Sequence, residues 1–334
     1  MATRAVQECL RRVFISNRRN QYQEIVSKFI EELSQEKWRI KAITVIEGLN
    51  FEEDKIKLSG RSNIEKMDLS DRELLINNTN SSSIPSYLHR HLRSQEEFYI
   101  LRTTVKKDVS GGLESIEDIL TSDNNIQILQ NERDILENTL KLQVRERFRL
   151  GTMFFFDKTM NKKLSVIETD STRNQSHIAA RETAEHDITQ SIIDTFQLLK
   201  EYEGDDEGLK IALGRYSSTL DKLENTDTLI DCFIGLEALL SANENDSLSQ
   251  IIERIAYVIG DYSAYEMMSS FKDKRNKVVH GSEVKFKESE MDKIRKITAD
   301  TILEVLEEKV DNQVSSREQA QNVDKEFIEF LRDK

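Results

Sequence analysis

The sequence predicts a mostly helical protein that combines an α+β N-terminal domain, residues 1–172, with an all-α helical bundle, residues 173–334. Pro85 is the only proline in 334 residues, whereas proline makes up about 5% of an average protein. Long helices exclude proline because it lacks the backbone N–H and clashes with the preceding turn. Strand-like runs of β-branched and aromatic residues occur only in the first half of the chain, and apolar residues at helical spacing dominate after Arg173.

The N-terminal domain mixes both kinds of pattern. Apolar residues in 4–36 are spaced by three and four, which predicts one or two amphipathic helices. The alternating segment Lys55-Ile56-Lys57-Leu58 predicts part of a hairpin, and the polar stretch 77–86 predicts a loop. Strands are predicted at 40–49, 55–60, 98–105, 148–156 and 163–169, the last two as a pair, with a short helix at 113–120.

The C-terminal domain is predicted to contain helices only. The most apolar of its helical patterns covers 229–240. Asp246 and Ser247 are candidate N-caps of the next helix, because short polar side chains accept hydrogen bonds from the free N–H groups of a first turn. Gly281 is well placed to end a helix. The predicted helices are 188–199, 211–220, 229–240, 248–258, 265–279, 289–310 and 316–331.

Several classes of protein are excluded by composition. No apolar run approaches the roughly 18 residues of a membrane span, and the first residues contain no signal-peptide core. Cys9 and Cys232 are too few for a disulfide framework or a zinc site. We therefore expect a soluble, cytoplasmic protein with no membrane partner. Its net charge of −13 disfavours general coating of nucleic acid but allows a local basic site.

One basic segment, residues 272–287, contrasts with this acidic chain because its own net charge is +4. Asn276 and His280 are four residues apart and would share a helix face, with Arg275 beside them. A guanidinium binds phosphate by paired hydrogen bonds and stabilises its transition-state charge, and an imidazole transfers protons near neutral pH. This chemistry cleaves a phosphodiester without a metal or another cofactor. The basic residues expected to bind the substrate are Lys272, Lys274 and Lys277.

Spacing alone leaves a second interpretation open. A chain with five histidines and many arginines contains an arginine and a histidine at this separation by chance. The same residues therefore also fit a solvated basic helix end.

The surroundings of Arg275 resemble the HEPN domain family, whose signature is an arginine, usually followed by a polar residue, and a histidine a few positions later. Arg275, Asn276 and His280 match that signature. Three further segments occur in the order typical of the Apea-like HEPN branch: Ile-Ala-Leu-Gly-Arg-Tyr at 211–216, Leu-Glu-Ala-Leu-Leu at 236–240 and Glu-Arg-Ile-Ala at 253–256. The resemblance covers roughly residues 205–310. One departure concerns helix packing, since Phe271 lies four positions before the arginine where the family commonly has Tyr-x-x-Arg.

The resemblance implies an all-α HEPN bundle and a metal-independent endoribonuclease that acts as a toxin or antiphage-defence effector. In such proteins the motifs of two copies form one composite site across a dimer interface. Arg275 would bind the scissile phosphate, His280 would be the general acid and base, and Asn276 would position either. The implied partners are RNA, a second copy of the chain through the HEPN domain, and an antitoxin or another defence-system protein.

Two rival readings use the same resemblance. A non-catalytic HEPN module would bind RNA or a nucleotide, or serve in assembly, although such modules usually lose the arginine or the histidine. A toxin silenced by a nucleotidyltransferase-like antitoxin would differ in regulation and not in chemistry. For the nuclease, we expect the N-terminal domain to sense a trigger or hold the nuclease inactive, and a substrate-binding role for this domain stays open.

Other candidate residues have simpler explanations. Glu237 lies in an apolar helix, where an ionised carboxylate needs a partner, and we expect it to pair with Arg254 and not to act in catalysis. The His-Arg-His segment at 89–91 lacks a third metal ligand. The five arginines of residues 1–20 fit an RNA-contacting arm or a solvated helix face, of which the second is favoured.

Overall fold

The structure is a computed structural model in which the chain forms two compact units. They comprise Met1–Asp134 with Phe148–Thr189, here the sheet unit, and Ile135–Arg147 with Gln190–Lys334, here the helical unit. The predicted boundary at 172/173 lies outside the described residues. The described residues are 27, 37–78, 92, 97–108, 123–145, 148–157, 162–167, 183–184, 186–202, 206–222, 224–243, 245–312 and 323.

The sheet unit contains, within the described ranges, a six-stranded antiparallel sheet of order β3-β4-β5-β1-β6-β7. A separate parallel pair joins β2 to β8. The central strand β1 pairs with β5 and β6 on its two sides. The strands are β1 Lys37–Glu47, β2 Asn50–Phe51, β3 Lys55–Lys57, β4 Ser62–Lys66, β5 Tyr99–Asp108, β6 Arg149–Asp157, β7 Lys162–Ile167 and β8 Thr183–Ala184.

Helices α1, Leu69–Asn78, and α2, Asp123–Val144, each supply buried residues to the sheet. Ile43 and Val45 of β1 belong to one apolar cluster with Leu75 of α1, whereas Ile40 belongs to another with Leu129 of α2. Successive strand side chains point to opposite faces. The two clusters therefore lie on opposite faces of the sheet, which explains why β1 is buried on both.

The helical unit is built around one apolar core. Each helix contributes to it, through Leu199, Tyr216, Phe233, Ile255, Met268 and Ile302 in chain order. Leu142, from the second half of α2, belongs to the same core, and the Tyr216 hydroxyl donates to the carbonyl of Lys141 at 3.2 Å. The helices are α3 His186–Glu201, α4 Glu207–Asp221, α5 Asn225–Leu240, α6 Leu248–Ile259, α7 Tyr262–Val279 and α8 Glu288–Asn312.

Helices α4 and α5 approach closely because small residues face each other. A Cβ atom on Gly208 would lie 2.5 Å from the carbonyl oxygen of Ala238. A Cβ atom on Gly235 would lie 3.4 Å from the Cα atom of Ala212. This contact fixes α5 against α4, and α5 carries Glu237 of the candidate site.

The coarse fold class is confirmed, since most described residues are helical and the N-terminal part contains an antiparallel sheet. The hairpin is present as β3 and β4, and the predicted pair as β6 and β7. No described helix is long and apolar enough to cross a membrane. The predicted helix at 113–120 lies outside the described residues, as do those at 4–36 and 316–331 apart from Ser27 and Val323.

Two expectations were wrong, and one helix was missed. The loop predicted at 77–86 begins too early, because Asn77 and Asn78 end α1. No helix was predicted at 123–144, which α2 occupies. Strand structure also continues beyond residue 173, because β8 pairs with β2. Strand β8 is only two residues long, so its sequence is too short to show the alternation that predicts a strand.

Candidate functional site

Helix α7 carries the three residues of the predicted site. Its N-cap, Asp261, accepts a hydrogen bond from the N–H of Ser263 at 2.8 Å. Its buried residues are Ala264, Met268 and Phe271, which follow helical spacing. Arg275 comes four positions after Phe271 and so continues this buried stripe. That position explains why the Arg275 side chain is only 25% exposed.

The Arg275 guanidinium lies between a carboxylate and an amide. Its Nη2 atom is 3.5 Å from Oε1 of Glu237 on α5. Its Nη1 atom donates to Oδ1 of Asn276 at 3.4 Å. Its buried Nε–H has no hydrogen-bond partner in the described part of the chain. Because both contacts are long for charge-assisted hydrogen bonds, the guanidinium has donors available for an anion.

Burial affects Glu237 as well as Arg275. The Glu237 side chain is 35% exposed, and its Oε1 atom is buried and accepts no hydrogen bond from the described residues. Burial raises the pKa of this carboxyl, and the positive charge of Arg275 opposes that rise only in part. Glu237 is therefore protonated more readily than an exposed glutamate.

The predicted pairing of Glu237 with Arg254 was wrong. Arg254 of α6 is bound elsewhere, since its Nη1 atom donates to Asp246 at 2.5 Å and to the carbonyl of Leu240 at 2.7 Å. The Arg254 side chain is 1% exposed. Arg254 is thus a structural arginine held by short bonds, whereas Arg275 is held loosely and remains accessible. Sequence reasoning missed Glu237 as a neighbour of the motif, although its position in an apolar helix signalled a need for a partner.

His280 ends α7, as predicted from Gly281. Gly281 has φ of 77°, a left-handed conformation that glycine adopts most easily. The N–H of Gly281 donates to the backbone carbonyl of Val278 at 2.9 Å, and the N–H of Ser282 donates to the backbone carbonyl of Lys277 at 2.9 Å. These two bonds form a Schellman motif, a common helix C-terminus. The sharp stop leaves His280 exposed at the accessible end of the helix.

The motif residues are thus brought to one helix end but are not all in contact. The His280 N–H donates to the Asn276 carbonyl at 3.0 Å, so the two residues are one helical turn apart. Within the described residues, the imidazole of His280 makes no hydrogen bond or ion pair. Arg275 and Asn276 touch, whereas His280 projects from the next turn towards solvent.

The three predicted substrate-binding lysines differ in their surroundings. Lys272 donates from Nζ to the Ser249 hydroxyl at 3.2 Å. Lys274 forms an ion pair with Glu290 of α8, and its hydrogen bond lowers the pKa of that carboxyl. Lys277 is exposed and has no side-chain partner in the parts of the chain that are described. Glu237 and Glu290 consequently offset part of the positive charge of this segment.

Other predicted candidates are not at this site. Cys232 is fully buried in the helical core, and burial raises the pKa of its thiol to about 12. Among the described side chains, no group of three or more His, Cys, Asp or Glu residues could hold a metal ion. The segment 89–91, Cys9 and the arginines of residues 1–20 lie outside the described residues.

Comparison with known proteins adds no assignment: no family model, no curated protein and no solved structure matches the chain.

Proposed function

We propose that the protein is a metal-independent endoribonuclease of the HEPN type, used as a toxin or antiphage-defence effector. The observation that carries this proposal is the state of Arg275, a half-buried guanidinium with long contacts and an unpartnered Nε–H. It lies five residues before His280, the exposed residue that caps the C-terminus of the same helix. A phosphate binder and a proton-transfer group at one helix end are what RNA cleavage requires.

In the proposed reaction, Arg275 binds the scissile phosphate by paired hydrogen bonds and stabilises the charge of the transition state. A base removes the proton of the ribose 2′-hydroxyl, whose oxygen attacks the phosphorus. The bond to the 5′-oxygen breaks, an acid protonates that oxygen, and a 2′,3′-cyclic phosphate remains. Asn276 positions the guanidinium or the hydroxyl, and Lys277 contacts the neighbouring backbone.

A second copy of the chain completes the site in this proposal. The reaction needs one group to accept a proton and another to donate one. Each chain offers a single imidazole at this helix end, His280. A homodimer through the helical unit would bring two such imidazoles to one phosphate. The dimer is therefore part of the proposed mechanism.

The test is cleavage of structured and unstructured RNA by the purified full-length protein, with and without EDTA. We expect cleavage to survive EDTA and to fall by at least about 10²-fold in Arg275→Ala and in His280→Ala. Arg61→Ala is the matched control, because Arg61 is an exposed arginine of the sheet unit. Equal cleavage by all four proteins would refute the assignment. Mixing the wild-type protein with an excess of His280→Ala tests the composite site, because each heterodimer would carry only one of the two imidazoles and lose cleavage, whereas independent sites would keep it.

A non-catalytic RNA-binding or assembly module is the second candidate. The observation that favours it is the pair of carboxylates, Glu237 and Glu290, which face Arg275 and Lys274 and reduce the local positive charge. This candidate predicts RNA binding that depends on Arg275, with no cleavage product under any condition. Cleavage that requires His280 would exclude it.

A further inference from the structure

The Arg275 guanidinium has an anion beside it already. Glu237 faces its Nη2 atom at 3.5 Å, on the edge that a phosphate would also use. A phosphate and a carboxylate cannot both lie against one guanidinium edge without strong repulsion, especially where water is partly excluded. An incoming phosphate must therefore displace Glu237 or meet it in its neutral form.

Glu237 is suited to becoming neutral. Burial already favours its protonated form, and Arg275 is the one charged group in the described structure whose field favours the carboxylate. A phosphate on Arg275 would cancel that field and add a negative charge nearby. Both changes favour the protonated carboxyl.

We propose that Glu237 is the counter-ion of Arg275 in the free protein, and that binding of an RNA phosphate at Arg275 is coupled to the uptake of one proton by Glu237. The inference deepens the proposed function and rests on Arg275 being the phosphate site. The proton comes from the solvent and bonds to a carboxylate oxygen, and no other covalent bond changes. Glu237 is thus a positioning residue that sets the pH range of substrate binding.

The sign of the effect follows from the proton balance. Because the bound state carries one more proton than the free state, affinity for RNA rises as pH falls. The limiting slope is about tenfold in Kd per pH unit, for one proton. Above the range in which the bound state keeps its proton, affinity becomes weak and independent of pH.

Two other titratable groups near the motif must be separated from Glu237. His280 is exposed, and a positive charge on its imidazole would also strengthen binding of an anion. Glu290, against Lys274, has a lowered pKa and stays ionised throughout. The experiment therefore uses His280→Gln as the background, so that the imidazole does not contribute to the slope.

The probe is a fluorescent 2′-O-methyl oligoribonucleotide, which binds as RNA but lacks the attacking hydroxyl. Its Kd is measured by anisotropy between about pH 5 and pH 8, so that the series extends upward from the ordinary pKa of a glutamate, the direction in which burial shifts the pKa of Glu237. The proteins are full-length His280→Gln alone and combined with Glu237→Gln, Glu266→Gln or Arg275→Ala. Glu266 is the matched control, an exposed glutamate of α7, the helix that carries Arg275. Calorimetry in buffers of different ionisation enthalpy counts the protons that the His280→Gln protein takes up when it binds the oligoribonucleotide. Glu237 is not substituted in this protein.

In His280→Gln, we expect the Kd for the oligoribonucleotide to fall as pH falls, with uptake of up to one proton on binding. When Glu237→Gln is added, we expect Kd to be low and independent of pH. Glu266→Gln should keep the slope, and Arg275→Ala should remove tight binding. An unchanged slope with Glu237→Gln, or no proton uptake, overturns the inference even if the wild-type protein cleaves RNA. A slope that depends on Glu237 without any cleavage of ordinary RNA sustains the inference and removes the nuclease assignment.

Discussion

Replacing Gly208 by alanine would force α4 and α5 apart. The added Cβ atom would lie 2.5 Å from the carbonyl oxygen of Ala238 and 3.1 Å from Oδ1 of Asp206. The first atom belongs to a helix backbone and cannot move alone. The second is the N-cap oxygen, which accepts from the N–H of Leu209 at 2.8 Å. One methyl group thus disturbs both the helix contact and the cap.

The expected cost follows from this geometry. Overpacking of a tight contact typically costs about 1–3 kcal/mol, which exceeds the gain of about 0.5–1 kcal/mol that alanine brings over glycine inside a helix. Gly214, in the same helix, is the matched control, because nothing lies within 4 Å of its added Cβ. Gly214→Ala should therefore stabilise the protein by about 0.5–1 kcal/mol. The same substitution has opposite signs at two positions of one helix.

Urea unfolding followed by far-UV circular dichroism measures both free energies. We expect the two variants to differ by about 2 kcal/mol, with Gly208→Ala the less stable. Equal stability of the variants, or a gain in both, would refute the close approach of α4 to α5. The same variants report on the site, because Glu237 precedes Ala238. RNA cleavage under folding conditions should fall in Gly208→Ala and not in Gly214→Ala.

Two further predictions concern buried groups of the helical unit. Burial acts to raise the pKa of Asp246, but the Arg254 guanidinium and backbone N–H donors outweigh it and hold that pKa at about 2. The lowered pKa stabilises the folded protein by about 2 kcal/mol at neutral pH, and this stability is lost as pH falls from about 4 to about 2. Asp246→Asn should therefore unfold at a lower urea concentration at pH 7 and should lose no further stability between pH 4 and pH 2. An unchanged dependence of stability on acid pH in this variant would contradict the pairing of Asp246 with Arg254. The Cys232 thiol should react with a disulfide reagent at least about a hundredfold more slowly than free cysteine in the folded Cys9→Ser variant, and rapid labelling without unfolding would show that its burial is wrong.

The strands were predictable where their side chains are apolar without interruption. The run Phe154–Phe155–Phe156 is buried on both sheet faces, so its sequence is continuous and strand-like. Helix α2 was missed because polar residues occupy its buried positions. Glu132 accepts from the Ser62 hydroxyl at 2.7 Å, and Thr139 donates to the Ile135 carbonyl at 2.8 Å. The partner of Glu132 is tertiary and that of Thr139 is one turn earlier in the same helix, and both polar side chains break the apolar stripe that predicts a helix.

In the candidate site, too, local features were predictable from the sequence and tertiary contacts were not. The end of α7 at His280 was predictable, because a glycine after the last helical residue is a local signal. The stripe of Ala264, Met268 and Phe271 could also have placed Arg275 at a partly buried position. Its neighbour Glu237 could not be found this way, because the pairing depends on how α5 packs against α7. Arg254 was an equally acceptable partner in sequence and proved to be held by Asp246.

The division of the chain into units also governs the order in which the protein is made. A polypeptide leaves the ribosome from its N-terminus, so residues 135–147 of the helical unit emerge before β6 and β7 of the sheet unit. Leu142 can be buried only after α3 to α8, which supply the rest of its apolar core, have been translated. A fragment that starts at residue 173 would lack Leu142. The segment with Arg275 and His280 is translated after the whole sheet unit. In the proposed endoribonuclease, no cleavage is therefore expected from a nascent chain that holds only the sheet unit.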